Sequence, residues 1–284
     1  MLYVYTVASA ALLVVFNNIF GIFTSRSGWW ETPLIFMGLI LGFILLHLAV
    51  LCVWISLISV KKPPEKGAKS FRKLIDLTLP MLFSLARVKI HISGEDKLPD
   101  DTNRVMVVCN HLNDIDPAVL IKAMPRFELG FVAKKEIYTD LKFVAKAMHK
   151  LYCIPIDREN NREGAKAVIN AAKLIKEDKA SVGIFPEGYT SKDGELQPLR
   201  NGAFKIAVRA NVPIVVCTLV GMRKIEKRIF IKHTDVYLDI CDVIPADEVA
   251  VLHTDAIGER VYGDMKKSIE SRRLFIAEQK RHKI

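Results

Sequence analysis

Residues 104–117 read RVMVVCNHLNDIDP, and the order of chemistries within them decides the fold. Arg104–Cys109 is a short β-branched run with the composition of a buried strand. A polar stretch follows, then Pro117, whose fixed φ suits the first turn of a helix, with Asp116 placed to cap it. Strand, polar loop and helix in this order are the repeating unit of an α/β chain. A histidine at the C-terminal end of such a strand stands where open α/β sheets place their ligands.

Further runs of the same kind lie on either side. Val88–Ser93, Leu129–Ala133, Tyr152–Ile156, Val182–Phe185, Ile214–Val220 and Val236–Ile240 read as strands. Pro117–Met124, Glu136–His149, Arg162–Asp178 and Gly202–Ala210 read as helices between them. Strands separated by helix-length segments predict an α/β fold with a largely parallel, mixed sheet flanked by helices. Lys266–Ile284 is helical in pattern and strongly basic, either a solvated face or a second membrane contact.

Before this body comes a segment of another kind. Pro33–Val60 carries no formal charge and would span about 42 Å as a helix, more than the roughly 30 Å of a bilayer's hydrocarbon. Leu2–Thr24 is a second apolar stretch, interrupted by Asn17 and Asn18, whose amides suit a partner helix or the interface. The two predict a membrane-binding hairpin over 1–60, with SRSGWWET as its turn and Trp29 and Trp30 at a membrane boundary. A cleaved signal peptide is not expected, since no basic residue precedes the first apolar run.

Lys61, Lys62, Lys66, Lys69, Arg72 and Lys73 follow, which places the body on the cytoplasmic side of the cytoplasmic membrane by the positive-inside rule. Within 61–87, Phe71, Leu74, Ile75, Leu79 and Leu82 recur at helical spacing. The segment reads as a basic amphipathic helix, on an anionic leaflet or packed on the body, that Pro80 should kink or end. Residues 88–284 then form the α/β domain.

The whole chain has 284 residues, 51% of them apolar, with 41 Lys+Arg against 31 Asp+Glu. Such composition excludes a disordered tail, a collagen-like repeat and a disulfide scaffold. Residues 1–60 contain only Arg26 and Glu31 as charges, so the entire net charge of +10 belongs to the body and favours an anionic partner. Cys52, Cys109, Cys153, Cys217 and Cys241 are scattered, without a C-x-x-C, and read as reduced thiols in apolar runs. Cys109 and His111 lack a matching second pair, so no metal site is expected.

Three strand ends carry the chemistry. After the first, a tight connection can fold Asp116 back onto the His111 imidazole, fixing its tautomer and making it a general base. No G-x-S-x-G elbow accompanies it. Ile156-Asp157-Arg158 closes a second strand, and Arg158 offers a fork for a phosphate. Phe185-Pro186-Glu187-Gly188 closes a third, where Gly188 permits close approach of a ligand. Glu187 can accept from a hydroxyl or pair with Arg158, and that pair would also make sense as a purely structural one.

The blocks NHLNDID, IPIDR, FPEGYTS and VPIVV, in this order, resemble the four motifs of the 1-acyl-glycerol-3-phosphate (lysophosphatidic acid) acyltransferase family. The flanks ISGEDKLP and LRNGAFKIA agree, and the resemblance covers roughly Val88 to Val220. It implies an α/β body with an N-terminal membrane-binding segment, and acyl transfer from a thioester to a glycerolipid hydroxyl. His111 would deprotonate that hydroxyl and Asp116 would orient His111, with direct attack on the thioester and no acyl-enzyme. Arg158, Glu187, Gly188, Thr190 and Ser191 would form the substrate-binding set, with Arg158 on the acceptor phosphate. No cofactor is implied; acyl-CoA or acyl carrier protein is the co-substrate.

One position departs from the family pattern. Thr190 stands where T-R-S usually carries an arginine, so Lys192, Arg200 or Lys205 would have to compensate, or the acceptor differs. The expected partners are lysophosphatidic acid or a related lysolipid, the acyl donor and an anionic membrane. Another lysophospholipid or an aminolipid is the alternative acceptor, and a silent lipid-binding scaffold the alternative class. Nucleic acid is not expected, because no recognition module accompanies the charge.

Overall fold

The structure is a computed structural model. It describes residues 1–20, 28–65, 68–100, 102, 104–157, 159–225 and 231–281, which form two compact units, 1–59 and 60–284. In the first unit, α1 (Leu2–Phe20) pairs with α2 (Gly28–Leu57). Tyr5 stacks on Phe43 with ring centroids 5.8 Å apart, and Leu13, Ile44 and Ile55 are buried. Asn17 is half-buried and Asn18 exposed. Leu34, Met37, Leu41 and Leu45 of α2 are all more than half exposed, an arrangement suited to lipid and costly in water. Both helices are long and apolar enough to cross a membrane. The expected turn lies partly in residues 21–27, outside the described residues, and α2 already begins at Gly28, so Trp29 and Trp30 belong to the helix.

The second unit opens with α3 (Ala68–Leu85), β1 (Val88–Ser93), β2 (Met106–Cys109), α4 (Asp116–Ala123) and β3 (Gly130–Lys134). It continues with α5 (Lys135–Asp140), α6 (Lys142–Lys150), β4 (Ile154–Ile156), α7 (Asn161–Lys176) and β5 (Val182–Ile184). Last come α8 (Lys205–Ala210), β6 (Ile214–Val220), β7 (Thr234–Ile244), α9 (Ala246–Val251) and α10 (Thr254–Arg281).

The strands form one sheet in the order β1-β7-β6-β2-β5-β3-β4. Only the β6–β7 pairing is antiparallel, so β1 and β7 run against the other five. Every residue of β2 is fully buried, as expected of a strand covered on both faces. One face packs Met106, Val108, Val182, Ile214 and Val216 against Ala171 and Ile175 of α7, Ile206 and Ala207 of α8, and Val261 and Met265 of α10. Asn160 starts α7 by accepting from the Arg162 and Glu163 N–H groups at 3.0 and 3.2 Å, a side-chain N-cap.

Some expectations change here. Pro80 neither ends nor interrupts α3, which runs on to Leu85 because Met81 and Phe83 are buried beyond it. Phe71, Ile75 and Thr78 of α3 are also buried, and the Arg72 guanidinium, counted above among membrane-flanking charges, reaches the Leu129 and Leu151 carbonyls at 2.9 and 3.3 Å. The single helix expected over Glu136–His149 breaks at Leu141, whose φ −116 and ψ 64 are not helical. Ile257, Val261, Met265 and Ile269 of α10 are buried, while Leu274 and Phe275 further along are exposed. All five cysteines are free; Cys109 and Cys217 are buried, and Cys52 is exposed on α2.

Candidate active site

The site forms where β2 and β5, neighbours in the sheet, end side by side. From β2 the chain turns towards β3, and from β5 it turns towards β6, on the other side. Such a reversal opens a crevice at the strands' carboxyl ends.

Asn110 fastens the tip of β2 to β6: its Nδ2 donates to the Leu219 carbonyl at 3.1 Å and its Oδ1 accepts from the Leu219 N–H at 2.7 Å. His111 follows. Asp116 Oδ2 accepts from the backbone N–H groups of Leu112 and Asn113 at 2.6 and 2.9 Å and lies 2.9 Å from His111 Nδ1. An oxygen already accepting twice is an acceptor towards the ring as well, so the imidazole proton sits on Nδ1 and the lone pair on Nε2. Nε2 has no hydrogen bond among the described residues. Asp116 was expected as an N-cap, but it is the first residue of α4, and its carboxylate points back into the loop. Asn113 Oδ1 takes the Ile115 N–H instead, at 3.0 Å.

Asp116 is fully buried, and its Oδ1 has no hydrogen-bond partner among the described residues. Burial pushes its carboxyl above the usual carboxylate range, against the opposing pull of His111 and the two N–H groups.

Glu187, after β5, is also buried, and both its oxygens are engaged by backbone. Oε1 accepts from the His111 N–H at 2.7 Å and Oε2 from the Gln197 N–H at 2.9 Å. Burial raises this carboxyl too. Glu187 therefore shapes the site by holding two loops together, and no pairing with Arg158 is described, since Arg158 lies outside the described residues. Ser191 is likewise built in. Its N–H donates to the His111 carbonyl at 2.8 Å, and its buried Oγ lies 2.8 Å from Asp193 Oδ1 and from the Glu195 carbonyl. Thr190 is half-buried, and Gly188 has φ 83, a left-handed conformation that favours glycine.

Sequence reasoning missed the buttress behind the histidine. The Phe185 ring stacks on His111 with centroids 4.2 Å apart, and Phe131 stacks on Phe185 at 5.8 Å. Gly183 makes room for Phe131: a Cβ there would meet the ring at 2.3 Å. A glycine in the middle of an apolar strand was the available signal.

Two cavities border the loops of the site, one at Phe185 and Gly188 and the other at Asn110 and Leu112; His111 is in the wall of neither. One, of about 430 Å³, lies beyond the ends of β4 and β5 against α7 and α8, with Ile156, Val168, Ile184, Phe185 and Gly188 in its wall. The other, of about 390 Å³, lies on the β6–β7 side, with Leu112, Leu219, Tyr237 and Ile269 in its wall. No cluster of side chains suited to a metal ion occurs among the described residues.

Residues 89–220 match the family described as Acyltransferase. A Mycoplasma pneumoniae protein named probable 1-acyl-sn-glycerol-3-phosphate acyltransferase is 34% identical over 198 residues, 66% of this chain and 71% of its own. The chain belongs to that family. A Mycoplasma genitalium protein of the same name is 33% identical over 163 residues, 56% of this chain and 58% of its own length. The crystal structure of the 1-acyl-sn-glycerophosphate acyltransferase from Thermotoga maritima superposes with a TM-score of 0.61, covering 96% of this chain and 98% of that one. At 18% identity that likeness concerns the fold. The matched stretch of this chain contains His111, Asp116, Glu187, Gly188, Thr190 and Ser191.

Proposed function

We propose that the chain transfers a fatty acyl group from acyl-CoA or acyl carrier protein to the sn-2 hydroxyl of lysophosphatidic acid, forming phosphatidic acid for phospholipid synthesis. The observation that carries this reading is the His111–Asp116 pair, with an Nε2 that has no hydrogen bond among the described residues. His111 Nε2 takes the proton of the acceptor hydroxyl, and that oxygen attacks the thioester carbonyl. The carbon–sulfur bond breaks, and the departing thiolate takes the proton back from His111. Asp116 holds the ring and offsets the positive charge it acquires in between.

Direct transfer fits the surroundings of the base better than an acyl-enzyme does. The Cys109 thiol is fully buried and pushed well up by burial, and the Ser191 hydroxyl is tied into its turn. Arg158 is assigned to the acceptor phosphate on the family pattern. The apolar hairpin suits attachment to the membrane where the lipid substrate resides, and the lysines after it support a body on the cytoplasmic side by the positive-inside rule. Thr190 is the observation that favours the second reading, an acceptor with another head group.

Thiol release by the purified full-length chain in detergent tests this, with acyl-CoA as donor and a panel of acceptors. Fastest turnover with lysophosphatidic acid is expected; turnover confined to another lysolipid moves the assignment to that lipid. Protease digestion of the body in vesicles of known orientation tests the sidedness.

A further inference from the structure

The family's usual second arginine is absent at position 190, so the charge it would bring to the acceptor has to come from elsewhere. Arg200 is ten residues further along and returns to the same loop. Its N–H donates to the Pro186 carbonyl at 2.8 Å, which fastens its backbone to the segment after β5. Its side chain then runs across the bare face of Gly188: a Cβ on Gly188 would meet Arg200 Nε at 2.8 Å and Cδ at 3.2 Å. The left-handed Gly188 and the long side chain of Arg200 thus occupy each other's space.

The guanidinium reaches the wall of the 430 Å³ cavity, which Lys205 and Arg209, one turn apart on α8, also line. Among the described residues none of these three side chains has a hydrogen-bond or ion-pair partner. Glu187, next to Gly188 in the chain, is committed to the His111 and Gln197 N–H groups. Asp157, also in the wall, accepts from the Glu159 N–H and lies 3.8 Å from Lys135. Three unneutralised cations around a cavity floored by Ile156, Val168, Ile184 and Ile206 suit an anionic head group attached to an apolar chain.

We propose that Arg200 supplies the guanidinium missing at position 190 and binds the phosphate monoester of the acceptor lipid at this cavity. Lys205 and Arg209 add charge to the same rim. The inference rests on the reading of the chain as an acyltransferase of lysophosphatidic acid. The phosphates of coenzyme A share this chemistry, so the test separates acceptor from donor.

Steady-state kinetics of the full-length chain in detergent give separate KM values for lysophosphatidic acid, for uncharged monoacylglycerol and for acyl-CoA. Arg200→Gln keeps the stem as far as Cδ across Gly188 and removes the guanidinium with its charge. It should raise the KM for lysophosphatidic acid roughly tenfold to a hundredfold, the loss expected for a charge-assisted contact. The KM values for monoacylglycerol and acyl-CoA should not change. Thr190→Arg added to Arg200→Gln should recover much of the loss, by restoring the guanidinium at the usual place. An unchanged KM for lysophosphatidic acid in Arg200→Gln overturns the proposal, as does a shift confined to acyl-CoA. A raised KM that Thr190→Arg fails to lower overturns it too, since the loop and not the charge is then responsible. If the unaltered chain does not acylate lysophosphatidic acid at all, the reading of its function fails, an outcome distinct from the others.

Discussion

The loops after β2 and β5 lie side by side and are equally rich in polar side chains, yet they use them differently. In the first, Asp116 gathers two backbone N–H groups and one ring nitrogen, and the result leaves His111 Nε2 open. In the second, Glu187 and Ser191 direct every polar atom at protein: the His111 N–H, the Gln197 N–H, the Glu195 carbonyl. The first loop leaves an imidazole nitrogen open and the second is the frame around it. Motif residues of equal prominence in the chain are therefore of two kinds, and only the arrangement in space separates them.

On that division, substitutions in the first loop should act on turnover and those in the second on the integrity of the site. His111→Ala should lower kcat by about 10²–10⁴-fold, the usual loss on removing a general base. Its circular dichroism should remain native, because the Glu187 and Ser191 bonds reach only the backbone of His111. Wild-type turnover in the folded variant would remove His111 from the mechanism.

Asp116→Asn should cost less than His111→Ala, again in kcat, because an amide partner favours the wrong tautomer. It also offers a test in pH. Burial raises the Asp116 carboxyl, so the folded chain holds its proton more tightly than the unfolded chain. Stability should therefore fall as pH rises from the unfolded value to the folded one, and stay level above it. Activity runs the other way, since the ring needs an ionised partner, and its acid limb should lie above the ordinary carboxylate range. Asp116→Asn should flatten its share of the fall in thermal midpoint while reducing kcat. A variant both less stable at neutral pH and unaltered in kcat would make Asp116 a structural residue.

Glu187→Gln should cost about 1–3 kcal/mol of stability, since the amide can accept from one of the two N–H groups but not both. Chemical denaturation measures this, and a loss of turnover with stability intact would move Glu187 into the chemistry. Ser191→Ala should be the mildest, about 1 kcal/mol in the same denaturation experiment, with the acceptor's KM nearly constant. A large rise in that KM would mean that the hydroxyl leaves its turn to meet the lipid.

How much of this the chain reveals in advance depends on the reach of each contact. His111 and Asp116 are five residues apart, and the pattern of polar loop and Pro117 already suggests their meeting. β1 and β6 have the expected bounds because Val88, Ile90 and Ile92 alternate with polar residues in the one and the other is an almost wholly apolar run. That Asp116 does not also cap α4 was not legible, since capping the helix and holding the preceding loop require the same residue type. Leu141 carries no Pro or Gly to announce the break between α5 and α6. The reach of Glu187 to His111 spans 76 residues, and the stacking of Phe185 on the imidazole depends on strand neighbours that no local pattern specifies. Strand order is the extreme case, because β5 pairs with β2 and β3 only through contacts distant in the chain.

That order has a consequence for how the molecule comes together. Between β2 and β3, adjacent in the chain, the sheet leaves a slot that β5 fills. During synthesis from the N-terminus, residues 106–134 emerge long before Val182–Ile184, so two central edges wait unpaired. Closing the slot ties up a long loop, an entropic cost that slows assembly. The same event brings Glu187 onto the His111 backbone and Phe185 onto its ring. Until β5 arrives, the histidine and its aspartate can meet but nothing aims them. The chain's catalytic maturity is thus tied to one late, central strand, and unpaired β2 and β3 are the edges most exposed to wrong partners in the meantime.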